Sequence, residues 1–153
     1  MQLAELNLGR LSQPIDHPDI AEFADNLDRI NGLADRMPGF VWRFQDDSGN
    51  ATSVQAFDDP LIIANMSVWE TAADLERFVW GTIHRKFYER RDEWFGKMTE
   101  HHFVMWWVEE GHRPDLAEAK AKLAHLQAHG PSDEAFGWAD LRSAKLWEKS
   151  RCA

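Results

Sequence analysis

The chain has 153 residues, enough for one domain with a sizeable core and too few for a second complete one. Its 17 Lys and Arg against 26 Asp and Glu leave a formal net charge of -9, a negative potential that argues against nucleic acid and anionic membrane as partners. A single cysteine, Cys152, excludes an internal disulfide and a cysteine-built metal site.

Residues Met1 to Glu5 lack the basic flank and apolar run of a secretory signal, so the expectation is a soluble, cytoplasmic protein. Leu3 to Leu11 alternates as a strand does, with Leu6 and Leu8 on one side and Glu5, Asn7 and Gly9 on the other. Asp16-His17-Pro18 is a helix-start signal. Ile20, Phe23, Leu27, Ile30 and Ala34 then recur at helical spacing until Met37-Pro38-Gly39 stops the pattern. Phe40 to Gln45 reads as a strand, and Asp47-Ser48-Gly49-Asn50 supplies turn chemistry after it. Leu61 to Trp69 is a further strand.

Thr71 and Asp74 open a long helix expected from Ala72 to Phe95, with Leu75, Phe78, Val79, Thr82 and Ile83 as its first apolar stripe. His84, Phe87, Tyr88 and Trp94 follow among basic residues. The segment from Phe103 to Val108 is a strand that is apolar on both sides: Phe103, Met105 and Trp107 point one way, Val104, Trp106 and Val108 the other. Both of its faces need cover. Asp115 with Glu118 starts a last helix over 115–129, ended by Gly130-Pro131. Beyond Ser132 no strong period remains, although Phe136, Trp138, Leu141 and Trp147 could dock on the body.

Strand, helix, strand, strand, helix, strand is the ferredoxin-like, split βαβ pattern of the α+β class: a four-stranded antiparallel sheet with both main helices on one face. If Leu6, Leu8, Trp42, Phe44, Met66, Val68, Val104 and Trp106 meet those helices, the bare face carries Asn7, Arg43, Asn65, Ser67, Trp69, Met105 and Trp107. That mixture is too apolar for water and too polar for an ordinary core, and it suits a shared cavity wall.

Several segments resemble the bacterial family numbered 3291 among the domains of unknown function: Leu6-Asn7-Leu8-Gly9-Arg10, Pro38-Gly39-Phe40-Val41-Trp42-Arg43, Asn65-Met66-Ser67-Val68-Trp69-Glu70, and Trp106-Trp107-Val108 through Gly111-His112-Arg113-Pro114. The resemblance covers the chain to about Phe136. It divides the chain into a domain over 1–136 and a tail over 137–153. The family looks like part of the dimeric α/β-barrel superfamily, in which two ferredoxin-like subunits press their open sheet faces together. That superfamily includes antibiotic-biosynthesis and haem-degrading monooxygenases and isomerases. The resemblance thus implies a homodimer, but no particular activity follows from it.

The candidate site follows from the bare face. Arg43, Asn65 and Ser67 could bind an oxygen-rich substrate, or pair across a subunit interface with Arg43 neutralised by Glu5. Asn7, Trp69, Tyr88, Met105 and Trp107 are further substrate-binding candidates. His84, one helical turn from Trp80 and Tyr88, could move a proton beside Arg43 as the second catalytic candidate, hold haem, or simply bond a backbone carbonyl. His101-His102 point to opposite faces and His125 with His129 lacks a third ligand, so no metal site is expected. The leading expectation is a protein that binds a small aromatic or apolar metabolite, a cofactor-independent monooxygenase or isomerase. A non-catalytic binding or dimerisation module and a haem-binding monooxygenase are the alternatives.

Overall fold

The structure is a computed structural model of the chain and describes residues 1–45, 57–98 and 101–141. The turn expected at 47–50, and Trp147 and Cys152 in the tail, lie outside the described residues. Strand β1 (Gln2–Leu11) lies at the centre of an antiparallel sheet. On one side it pairs with β3 (Ile62–Trp69), from Leu3 opposite Trp69 to Arg10 opposite Ile62. On the other it pairs with β5 (Phe103–Val108), from Gln2 opposite Val108 to Asn7 opposite Phe103. The two-residue strand β4 (Phe95–Gly96) continues that edge along Arg10 and Leu11. Strand β2 (Phe40–Arg43) borders β3, with a bulge between Phe40 and Trp42.

Helix α1 (Ala21–Arg36) joins β1 to β2, and helices α2 (Ala72–Gly81) and α3 (His84–Glu89) lie between β3 and β5. The order β2-β3-β1-β5 is the split βαβ arrangement that the element sequence predicts. Helix α4 (Leu116–His129) follows the last strand. No described helix is long and apolar enough to cross a membrane.

The start signals act as local chemistry requires. His17 Nδ1 accepts from the Asp19 N–H, Thr71 Oγ1 from the Asp74 N–H and Asp115 Oδ1 from the Glu118 N–H, each meeting an orphan donor of a first turn. Gly130, at φ 75°, closes α4 in a conformation that favours glycine. The single helix expected over 72–95 is instead broken. At Thr82 the backbone is extended, its hydroxyl donates to the Phe78 carbonyl at 2.6 Å, and its oxygen accepts from the His84 N–H. A threonine that serves both sides of a Gly81-Thr82 junction ends one helix and starts another.

The faces of the strands partition as the alternation predicts, but the helices cover them the other way round. Ala4, Leu6, Leu8, Met66, Val68, Val104 and Trp106 are buried against Ala119, Leu123 and Leu126 of α4, with Trp42 and Phe44 at the margin. Helices α1 and α2 pack instead on Leu3, Trp69 and Met105, through Ala34, Leu75 and Phe78. The face expected to be bare is therefore the one beneath α1 and α2, and the face expected to meet those helices is covered by α4. Phe136 bridges to Met105 at the edge of β5 and Trp138 stacks on Phe103, so residues 136–138 belong to the body of the domain.

Candidate functional site

The side of the sheet under α1 and α2 contains a buried acid. Glu5, on the central strand, is only 5% exposed and lies between Ser67 and Met105 in register. The Ser67 hydroxyl donates to Glu5 Oε1 at 2.6 Å, and Trp69 Nε1 donates to Ser67 Oγ at 2.9 Å. An indole N–H can only donate, so it occupies a lone pair of Ser67 and directs the hydroxyl hydrogen to Glu5. Burial pushes the Glu5 carboxyl up to about 8, against the lowering effect of the Ser67 bond. At neutral pH Glu5 is thus mainly a carboxylic acid, with Oε1 taken as acceptor and Oε2 left to bear the proton.

Two residues further along the same pleat the cover opens. Asn7 and Asn65 face each other across β1 and β3 on the helix side of the sheet, yet both are exposed. Such exposure at the centre of a sheet requires a gap in the helical layer. Helix α1 leaves that gap: along its 16 residues only Ala34 is buried, while Phe23, Leu27, Ile30 and Leu33 are half-buried. One end of the gap is closed by Phe95, whose ring lies so near Gly9 that a Cβ there would collide with it, and by Phe23 packed on Phe95. The other end is closed by Trp69, stacked on Phe78 at 5.3 Å, with the His84 ring 5.0 Å beyond. Phe103, opposite Asn7 on β5, forms the third side. The gap is thus an open cleft whose floor carries two carboxamides, with the buried Glu5 two residues along β1 from Asn7.

The predicted site residues divide between this cleft and other places. Asn7, Asn65, Ser67, Trp69 and Met105 share its face, although Trp69 and Met105 are wholly buried and act as packing around Glu5. Arg43 is opposite Ser67 but turns to Asp35 of α1, with Nε 2.8 Å and one terminal nitrogen 3.2 Å from its two carboxylate oxygens. The Arg43 to Glu5 pair considered from the sequence is therefore replaced, and Glu5 keeps its proton instead of a counter-ion.

His84 opens α3 half-buried, with Nδ1 3.2 Å from the Val79 carbonyl. A carbonyl only accepts, so Nδ1 carries the hydrogen and Nε2 the lone pair. Burial pushes the imidazole below its ordinary value, with the Val79 bond acting the other way. Because the helix breaks, His84 packs on Phe78, and Trp80 meets Tyr88. Tyr88 is 37% exposed with Arg91 over its ring, and Trp107, 39% exposed, leans on Phe136 opposite Leu3, away from the two asparagines. Two residues of the cleft, Glu5 and Phe103, were named from the sequence but not as site residues. Glu5 had a usable signal, a lone carboxylate inside an apolar alternation; Phe103 had none, because only the register sets it beside Asn7.

Comparison with known proteins bears on the family and the fold. The family described as "Domain of unknown function (DUF3291)" matches residues 2–152, beyond the point near Phe136 where the resemblance in sequence stops. The crystal structure of a conserved protein from Methanosarcina mazei Go1 is similar, with a TM-score of 0.51 at 12% identity over 71% of this chain and 94% of that one. At such identity the likeness shows the fold alone. No curated protein matches the chain.

Proposed function

The chain belongs to the DUF3291 family, and from that premise and the cleft geometry we propose that it binds a small apolar or aromatic metabolite and moves a proton on it. One observation carries the reading: the Glu5 carboxyl, linked to Trp69 through Ser67, lies two residues along β1 from the exposed Asn7, which faces the exposed Asn65. An acid whose pKa lies near 8 is suited to both give and take a proton close to neutrality. The asparagine amides are placed to hold an oxygen on which charge develops, as donors of an oxyanion site do. Trp69 fixes the acid through Ser67, and His84 stands behind that wall, packed on Phe78. Floor, acid and walls all come from one chain. Isomerisation, which needs a proton taken and returned but no oxidant, is the reaction this set completes by itself.

The test is a metabolite library screened by ligand-observed NMR in deuterated buffer. Ligands of the wild-type protein should exchange an acidic C–H for deuterium, and Glu5→Gln should slow that exchange by about 100-fold or more, the usual size of an acid–base contribution. Exchange that survives in Glu5→Gln, or ligands that bind Asn65→Leu as well as they bind wild type, would sink the assignment.

A further inference from the structure

The chemistry of the cleft also selects among ligands, on the premise that the cleft is the binding site. Among the described residues, the polar groups of the sheet on this side are uncharged near neutrality or already committed. Asn7 and Asn65 are amides. Ser67 gives its hydrogen to Glu5 and receives that of Trp69. Arg43 on β2, the cation opposite Ser67, is tied to Asp35 of α1 by two hydrogen bonds. His84 of α3 turns Nδ1 to the Val79 carbonyl. From β5 the neighbours are Met105 and Phe103, which carry no charge. Glu5 accepts from Ser67 at Oε1, and in its acid form the hydrogen it has to give is on Oε2.

We propose that the cleft takes uncharged compounds bearing a carbonyl or comparable acceptor oxygen on an apolar body, and turns away carboxylates and ammonium compounds of the same shape. A carbonyl oxygen accepts from Glu5 Oε2 and from the amide N–H groups of Asn7 and Asn65 while the rest of the molecule meets Leu27, Ile30 and Phe103. A carboxylate entering the same place loses its hydration while Arg43, the cation opposite Ser67, is already held by Asp35. An ammonium group needs an ionised Glu5, and ionising that carboxyl in its buried position costs free energy that the ketone does not require.

A matched series tests this: 2-acetylnaphthalene, 2-naphthoate and 2-naphthylmethylammonium, each titrated into the full chain and located by the side-chain amide resonances of Asn7 and Asn65. At pH 7 the ketone should bind at least about tenfold tighter than either ion, a difference of about 1.4 kcal/mol. Its affinity should fall by about tenfold between pH 7 and pH 9 as Glu5 ionises, a step that Glu5→Gln removes. Binding of the naphthoate or the ammonium compound as tight as that of the ketone, at the same asparagines, overturns the selectivity and leaves the cleft standing as a site. If none of the three shifts those resonances, the selectivity and the cleft reading both fall.

Discussion

Trp69 and Trp106 are buried on opposite faces of one sheet, and each directs its indole N–H towards a carboxyl group with a different outcome. Trp106 Nε1 donates to Glu118 Oε1 at 3.0 Å, on the first turn of α4, where the same carboxylate also meets His112 at 2.6 Å. The Glu118 side chain keeps 30% of its exposure. There the bond ties a helix to a strand over a wholly apolar layer. Trp69 reaches Glu5 only through Ser67, at the centre of the sheet, where the carboxyl is held protonated by burial. The same residue type thus serves as a structural tie on one face and as the support of an acid on the other. What separates the two is whether water reaches the carboxylate: solvated, it is a good acceptor and little else, whereas desolvated, it becomes a group that titrates near neutrality.

The largest effect expected from this contrast lies on the α4 face. Trp106→Ala should lower the unfolding free energy by about 3–5 kcal/mol, measured by chemical denaturation, because it empties the layer between β5 and α4. A loss below about 1 kcal/mol would show that α4 does not seal that face.

Next comes the pH dependence of Glu5. Its folded value of about 8 lies above the ordinary 4.5, so between those pH values the native state holds a proton that the unfolded chain has lost. The stabilising contribution of Glu5, fully present below pH 4.5, should therefore fall as pH rises towards 8, by a few kcal/mol in all, and Glu5→Gln should lose that fall and keep only the smaller limb of opposite sign below about pH 6.5 that His84 governs. Equal slopes for the two proteins in denaturation series at pH 5, 6, 7 and 8 would place Glu5 in contact with bulk water.

The smallest effect, and opposite in sign, belongs to His84. Its folded pKa is lowered from 6.5, so the unfolded chain binds the extra proton first and stability should decline as pH falls below about 6.5. His84→Gln should remove that acid limb and leave the limb above it, which Glu5 governs. If the variant instead keeps the acid limb in thermal melts between pH 5 and pH 7, the ring is solvated.

Much of the fold was legible because its signals are local. The caps at His17, Thr71 and Asp115 act through backbone donors two or three residues away, and the alternation of β1, β3 and β5 sorts their side chains into two sets with no knowledge of the partner. The break at Thr82 was hidden because a threonine hydroxyl that bonds the preceding turn is compatible with a continuous helix too. The site was legible in part. Asn7, Asn65, Ser67 and Trp69 follow from strand parity, whereas the role of Glu5 depends on Met105 and Ser67 closing over it from neighbouring strands, and the separation of Trp107 from the asparagines depends on register.

By itself, then, the sequence determined which residues share a face, where most helices and strands begin and end, and that both faces of the sheet require cover. Those properties follow from the two-residue and 3.6-residue periods of the backbone. Only the tertiary structure decided which helix covers which face. Both sets of strand residues are apolar enough to accept a helix, so the choice rests on the summed packing of α1, α2 and α4. With that choice Glu5 passed from a face expected to be bare to one beneath two helices, and a surface carboxylate became a buried acid beside an open cleft.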